Sequence, residues 1–165
     1  MKRKLLVLFA VTGLVAALTV TGCNPVKKYE KQEQELINNY ILTLGDTVYS
    51  LKTSGLYYIE LLEGTGRIPV DRDTAFIRYE VKLLNGTLFD SNLDADEPLS
   101  FVVGNVGVIL GVDEGVRYMK TGGKAKLVIP SRLAYGPYGI DFVLPGYTPL
   151  LITLELVDVR EGPVE

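Results

Sequence analysis

Strict alternation from Ala75 to Leu83, closed two residues later by Asn85-Gly86, limits this chain more than any other feature. Ala75, Ile77, Tyr79, Val81 and Leu83 fall on one face, and Arg78, Glu80 and Lys82 on the other. A period of two is the mark of a half-buried strand, so Tyr79 points toward the core. Asn and Gly both tolerate the positive φ of a type I′ turn, so the chain should reverse at once. That reversal lays Leu88, Phe89 and Asp90 beside the Tyr79 strand.

The same period recurs elsewhere. Leu56 to Glu63 reads as an earlier strand, stopped by Gly64-Thr65-Gly66 and Pro69, and Lys124 to Pro130 alternates with Ala125, Leu127 and Ile129 inward. Leu150 to Val159 closes the pattern as a long strand with Leu150, Ile152, Leu154 and Leu156 on one side. Between these lies one short amphipathic helix, Gly111 to Lys120. Its apolar residues Val112, Val116 and Met119 are spaced by four and three, its acids come early and its bases late, and Gly122-Gly123 ends it. The fold class expected is therefore α+β, an antiparallel sheet of five to six strands curled around one short helix.

The chain begins differently. Lys2, Arg3 and Lys4 precede an apolar run from Leu5 to Val20, a secretory pattern slightly short for a spanning helix. The run ends at Val20-Thr21-Gly22-Cys23, a bacterial lipobox in form, with the chain's single cysteine where lipid would attach. Residues 1–22 are expected to be a lipoprotein signal peptide, 23–53 a lipidated tether with a short helix, and 54–165 the functional domain. The tether helix is expected from Leu36, Ile37, Tyr40, Ile41 and Leu44, one apolar stripe on a polar segment, lying against the domain or pairing with a second copy. Asn24, not an aspartate, follows the cysteine, which favours an outer-membrane destination in the cell envelope. Cleavage before Cys23 of the 165-residue chain would leave 143 residues, enough for one domain.

Composition removes whole classes of chemistry. Histidine is absent, and with it imidazole general bases, Ser-His-Asp triads and the commonest zinc ligand. An acylated Cys23 leaves no thiol for catalysis, metal or disulfide. Loss of the three early basic residues leaves 14 Lys+Arg against 20 Asp+Glu, a net charge of about −6 that offers nucleic acid no footprint. The acidic group Asp90, Asp94, Asp96 and Glu97 lacks the glycine and spaced glutamate of an EF-hand loop and reads as a solvated loop.

One longer pattern carries function. Phe89-Asp90-Ser91, Val108-Ile109-Leu110-Gly111 leading into Gly115, Gly122, and Ala134-Tyr135-Gly136 follow one another in an order and spacing that closely resemble the FKBP-type peptidyl-prolyl cis-trans isomerases. The resemblance runs from about Ser54 to Arg160. It implies a prolyl isomerase that needs no nucleophile, metal or cofactor, with Tyr79, Phe89, Asp90, Ile109 and Tyr135 as the catalytic set. It also implies a substrate pocket completed by Leu99, Val108, Val112, Val143, Leu144 and Ile152. The Ile109 main-chain N–H and the Tyr135 phenol would donate to the bound peptide, and Asp90 would face the amide. Proline-containing exported proteins are the clients implied, and macrolides the inhibitors.

The chain departs from the family's pattern in four places. Val112 stands where tryptophan commonly forms the pocket floor, Leu99 where an aromatic wall is usual, Ala95 where an arginine often pairs with the aspartate, and Ile140 where histidine is frequent. A noncatalytic binding module built on the same groove is the alternative that these departures keep open.

Overall fold

The computed structural model describes residues 25–105 and 107–162, so the expected signal peptide and Cys23 lie outside the described residues. In chain order the elements are helix α1 (Pro25–Thr43), strands β1 (Ser50–Leu51), β2 (Tyr57–Leu62), β3 (Thr74–Leu83), β4 (Leu88–Ser91) and β5 (Leu99–Val102), helix α2 (Leu110–Val116), strand β6 (Lys124–Ile129), a 3₁₀ turn (Ser131–Leu133) and strand β7 (Leu150–Arg160). All pairing is antiparallel, in the order β1-β2-β6-β7-β3-β4, with β5 following β4 along the same edge of β3.

The alternating segments become the strands expected of them. β3 is the spine: it pairs with β7 from Thr74↔Arg160 to Leu83↔Leu150, with one irregularity between Phe76 and Ile77. The core lies where the inward faces of β3, β6 and β7 meet α2, and Ala75, Ile77, Leu127, Ile129, Ile152, Leu154 and Val116 are all nearly inaccessible there. Among the described residues seven strands form, where five to six were expected. The additions are β1, two residues long and N-terminal to the boundary expected at residue 54, and β5, of four residues; segments this short show too little alternation to be read.

α2 is shorter than the amphipathic segment that announces it. After Val116 the chain tightens into i→i+3 bonds, Arg117 N–H to Glu114 O, Tyr118 N–H to Gly115 O and Met119 N–H to Val116 O. What matters most is how closely α2 lies on the sheet. A Cβ at Gly111 would stand 2.5 Å from Ile129 Cγ2, and one at Gly115 would collide with Leu127 Cδ1. Glycines four apart put both gaps on one helix face, so the helix backbone rests directly on β6.

α1 packs back onto the domain through Ile37, which is fully buried, and through Glu33, a buried carboxylate. Tyr29 stacks on Tyr147 with ring centroids 5.4 Å apart. Among the described residues no helix is long and apolar enough to cross a membrane.

Because Ile129 is buried beneath Gly111, Gly111→Ala should overpack this contact and lower stability by about 1–3 kcal/mol, read as a reduced urea midpoint with an unchanged slope.

Candidate active site

A cavity of about 160 Å³ opens where the sheet meets α2, lined by Ile77, Tyr79, Val81, Phe89, Asp90, Leu99, Gly107, Val108, Ile109, Val112, Tyr135, Leu150 and Ile152. It is on the scale of one ring or side chain, well below the roughly 300–1,000 Å³ of pockets that enclose a drug-sized ligand. Each wall follows from local structure. Alternation in β3 turns Ile77, Tyr79 and Val81 to the same face, and Val81↔Ile152 and Leu83↔Leu150 pairing brings β7 alongside them. Val112 reaches the base from α2, where it is 6% exposed and part of the core. Tyr135 comes from the segment after the 3₁₀ turn, and its ring meets Phe89 edge-on, with centroids 6.2 Å apart at 63°.

β4 supplies two consecutive lining residues, which a regular strand cannot do. The ladder explains it: Val81 pairs with Asp90 and Lys82 with Leu88, so Phe89 is an extra residue with no partner across the strand. This β-bulge brings both Phe89 and Asp90 to the cavity side. Nothing in Leu88-Phe89-Asp90-Ser91 signals it.

Both oxygens of the Asp90 carboxylate are engaged. The Tyr79 hydroxyl donates to Oδ2 at 2.9 Å, and the Ser91 N–H donates to Oδ1 at 2.8 Å. Among the described residues no cation takes part, and Ala95 stands where the family often has an arginine. A guanidinium is close by, but it serves the backbone: Arg78 donates to the carbonyls of Asn92 and Ala95 at 3.1 and 2.9 Å and to that of Asp96 at 3.2 Å, gathering the loop between β4 and β5. Asn92 fixes the same loop to β3, accepting the Tyr79 N–H at 2.6 Å and donating to Ile77 O at 3.0 Å.

Burial first, and then the hydrogen bond to Asp90 and its charge, push the Tyr79 phenol up to about 12. Burial, followed by the charge of Asp90, also raises Tyr135. Both phenols therefore remain protonated donors at neutral pH. Among the described residues nothing accepts from the Tyr135 hydroxyl or from the Ile109 N–H, which stands at the N-cap of α2 with extended backbone angles. Both belong to residues that line the cavity.

Nine of the eleven residues named from the sequence thus share one cavity, and two do not. Val143 is largely exposed on a separate surface hollow with Tyr138, Ile140, Asp141, Phe142 and Pro145, while Leu144 is buried in the core and bridges back to Ile140. Conversely, Ile77, Val81, Leu150 and Gly107 line the cavity without having been named for it. The first three were legible as inward positions of β3 and β7; Gly107 had no signal.

An antiparallel sheet folded over one short helix, holding an aromatic-walled apolar cavity with a single carboxylate, is the FKBP-like class of protein. The profile of the FKBP-type peptidyl-prolyl cis-trans isomerases matches residues 66–157, more than half of the chain. The FK506-binding protein of Neisseria meningitidis serogroup B is 43% identical over 107 residues, covering 65% of this chain and 98% of its own. The FKBP-type isomerase FkpA of Escherichia coli is 44% identical over 115 residues, 68% of this chain and 42% of that protein, so the chain spans about two fifths of that relative's length. The crystal structure of FkpA superposes with a TM-score of 0.72 at 35% identity over 84% of this chain and 65% of that one. A peptidyl-prolyl isomerase structure from Pseudomonas syringae gives 0.71 at 29% over 83% and 97%. The chain belongs to the FKBP-type peptidyl-prolyl cis-trans isomerase family.

The raised Tyr79 pKa carries a definite sign. Below about pH 10 the phenol is protonated whether the chain is folded or unfolded, and this group gives no pH dependence. Between there and about 12 the unfolded chain ionises first, so stability should fall as pH rises. Tyr79→Phe should flatten that decline in urea unfolding between pH 9 and 11, only in part, because Tyr58 is pushed to about 12 as well, chiefly by burial.

Proposed function

We propose that this protein is a peptidyl-prolyl cis-trans isomerase acting on proline-containing segments of exported, incompletely folded proteins. The observation that carries the reading is the convergence of Tyr79, Phe89, Asp90, Ile109 and Tyr135 on one cavity, with the Ile109 N–H and the Tyr135 hydroxyl left unpartnered among the described residues. In this reading Phe89, Tyr135 and Val112 enclose the prolyl ring. The Ile109 N–H and the Tyr135 hydroxyl hold carbonyls of the peptide on either side.

Rotation of an X-Pro amide faces a barrier of about 20 kcal/mol and takes tens to hundreds of seconds unaided. A thousandfold acceleration requires only about 4 kcal/mol. The planar amide has the more polar carbonyl, because conjugation moves charge onto oxygen, and twisting removes that charge. An apolar cavity that takes the place of water around the carbonyl therefore favours the twisted state over the planar one. The Asp90 carboxylate, held by Tyr79 and Ser91, presents fixed negative charge to the amide, and no proton transfer is needed.

The lipobox supports an acyl anchor at Cys23 on the envelope, with the outer membrane favoured and more than one chain needed for stable attachment. Residues 1–22 then act as the signal peptide, 23–53 as the tether and 54–165 as the isomerase domain. Macrolides of the kind the Neisseria relative is named for would seat only one ring in so small a cavity. The second reading, a binding module without turnover, draws on Val112, a small base to the pocket, and on Leu99 and Ala95.

Wild-type protein should accelerate cis-to-trans conversion of a proline tetrapeptide, Phe89→Ala should lower kcat/KM about tenfold, and Asp90→Ala should lower it several-fold. Tight binding of an unfolded client with no acceleration would select the binding module instead. Cys23→Ala should abolish incorporation of labelled fatty acid and release the protein from membranes; labelling that persists refutes the anchor.

A further inference from the structure

Helix α1 meets the domain through a polar contact that nothing in the proposed reaction uses. The Glu33 carboxylate is buried, and residue 131, 98 positions away, donates to both of its oxygens: Ser131 N–H to Oε1 at 2.5 Å and Ser131 Oγ–H to Oε2 at 2.9 Å. Hydrogen bonds to a charged acceptor are stronger than neutral ones, and a buried carboxylate is costly without them, so this contact is an obligate one. Ser131 is not an arbitrary anchor. It opens the 3₁₀ turn, and its carbonyl accepts the N–H groups of Ala134 at 2.8 Å and Gly136 at 2.7 Å, the two residues that flank Tyr135. Four residues earlier along α1, Tyr29 stacks on Tyr147, whose N–H donates to Gly136 O at 3.0 Å. One face of α1 therefore grips both sides of the segment that carries the Tyr135 wall.

We propose that α1 is a working part of the site, with Glu33 as a positioning residue that sets Tyr135 against Phe89 through Ser131. The proposal rests on the isomerase reading above and assigns the helix a role beyond that of a tether. Glu33 touches no substrate; it fixes the main chain from which the wall and one donor project. Removing it should leave α1 docked through Ile37 and Tyr29 but free the 131–136 turn, loosening the grip on the prolyl ring.

The test compares full-length wild type, Glu33→Ala, Glu33→Gln and Ile37→Ala, each assayed well below its melting temperature. Glu33→Ala should lower kcat/KM about fivefold, mostly through a higher KM, and should shift the amide resonances of Tyr135 and Gly136. Glu33→Gln keeps an oxygen for the Ser131 N–H and should recover activity to within twofold. Ile37→Ala should lower the melting temperature while kcat/KM stays within twofold, separating positioning from mere stability. Unchanged Tyr135 and Gly136 resonances in Glu33→Ala, activity lost equally in Ile37→Ala, or no rescue by Glu33→Gln would overturn the proposal. If wild type itself shows no turnover, it is the isomerase reading that fails, and the amide resonances alone decide whether Glu33 positions Tyr135.

Discussion

The contact between the α2 backbone and β6 is the constraint on which the site depends. Gly111 and Gly115 remove the two side chains that would otherwise stand between helix and sheet, so Ile129 and Leu127 fill the space a Cβ would need. With the helix seated this low, Val112 from the helix and Ile109 at its N-cap both line the cavity. Charge then secures what sterics allow. Asp113 accepts from the Gly104 N–H at 2.7 Å and from Arg117, whose guanidinium also reaches Asp71, so the approach to α2 is tied to the helix itself. Raising the helix by the depth of a methyl group would disturb both lining residues and the approach together.

The carboxylate of the site shows how a missing partner can be offset locally. Asp90 has no arginine at residue 95, yet both its oxygens hold donors, a phenol from the neighbouring strand and the next main-chain N–H. The nearby guanidinium of Arg78 is turned instead to a row of carbonyls in the following loop. The result is a charge oriented without being neutralised, in a cavity whose other walls are apolar or aromatic.

Alternation made β3 and β7 legible, because each buries one face and the period of two survives in the residue types, whereas β2 buries Tyr58 and Ile59 in succession and β6 buries Leu127, Val128 and Ile129. Tyr79, Ile152 and the inward row of β3 could be assigned from that alone. Family spacing supplied Phe89, Ile109 and Tyr135, which no periodicity marks. Three features stayed hidden for physical reasons. β1 and β5 are too short to show a period. Glu33 lies on the buried face of α1, where a charged residue is not expected, and only its partner 98 residues away explains it. Val143 and Leu144, which the family resemblance assigned to the pocket, sit in a loop with positive φ at Gly139, Phe142 and Tyr147 and do not line the cavity.

The bulge at Phe89 has a consequence of another kind. Because Phe89 is the residue without a partner across the strand, deleting it would heal the ladder, with Leu88 and Asp90 keeping the partners they have now. The pairing of β3 with β4 would run on without the irregularity and Asp90 would stay opposite Val81, while the cavity lost its Phe89 wall. One codon thus carries the aromatic wall of the site, and the strand pairing around it does not depend on that codon being present.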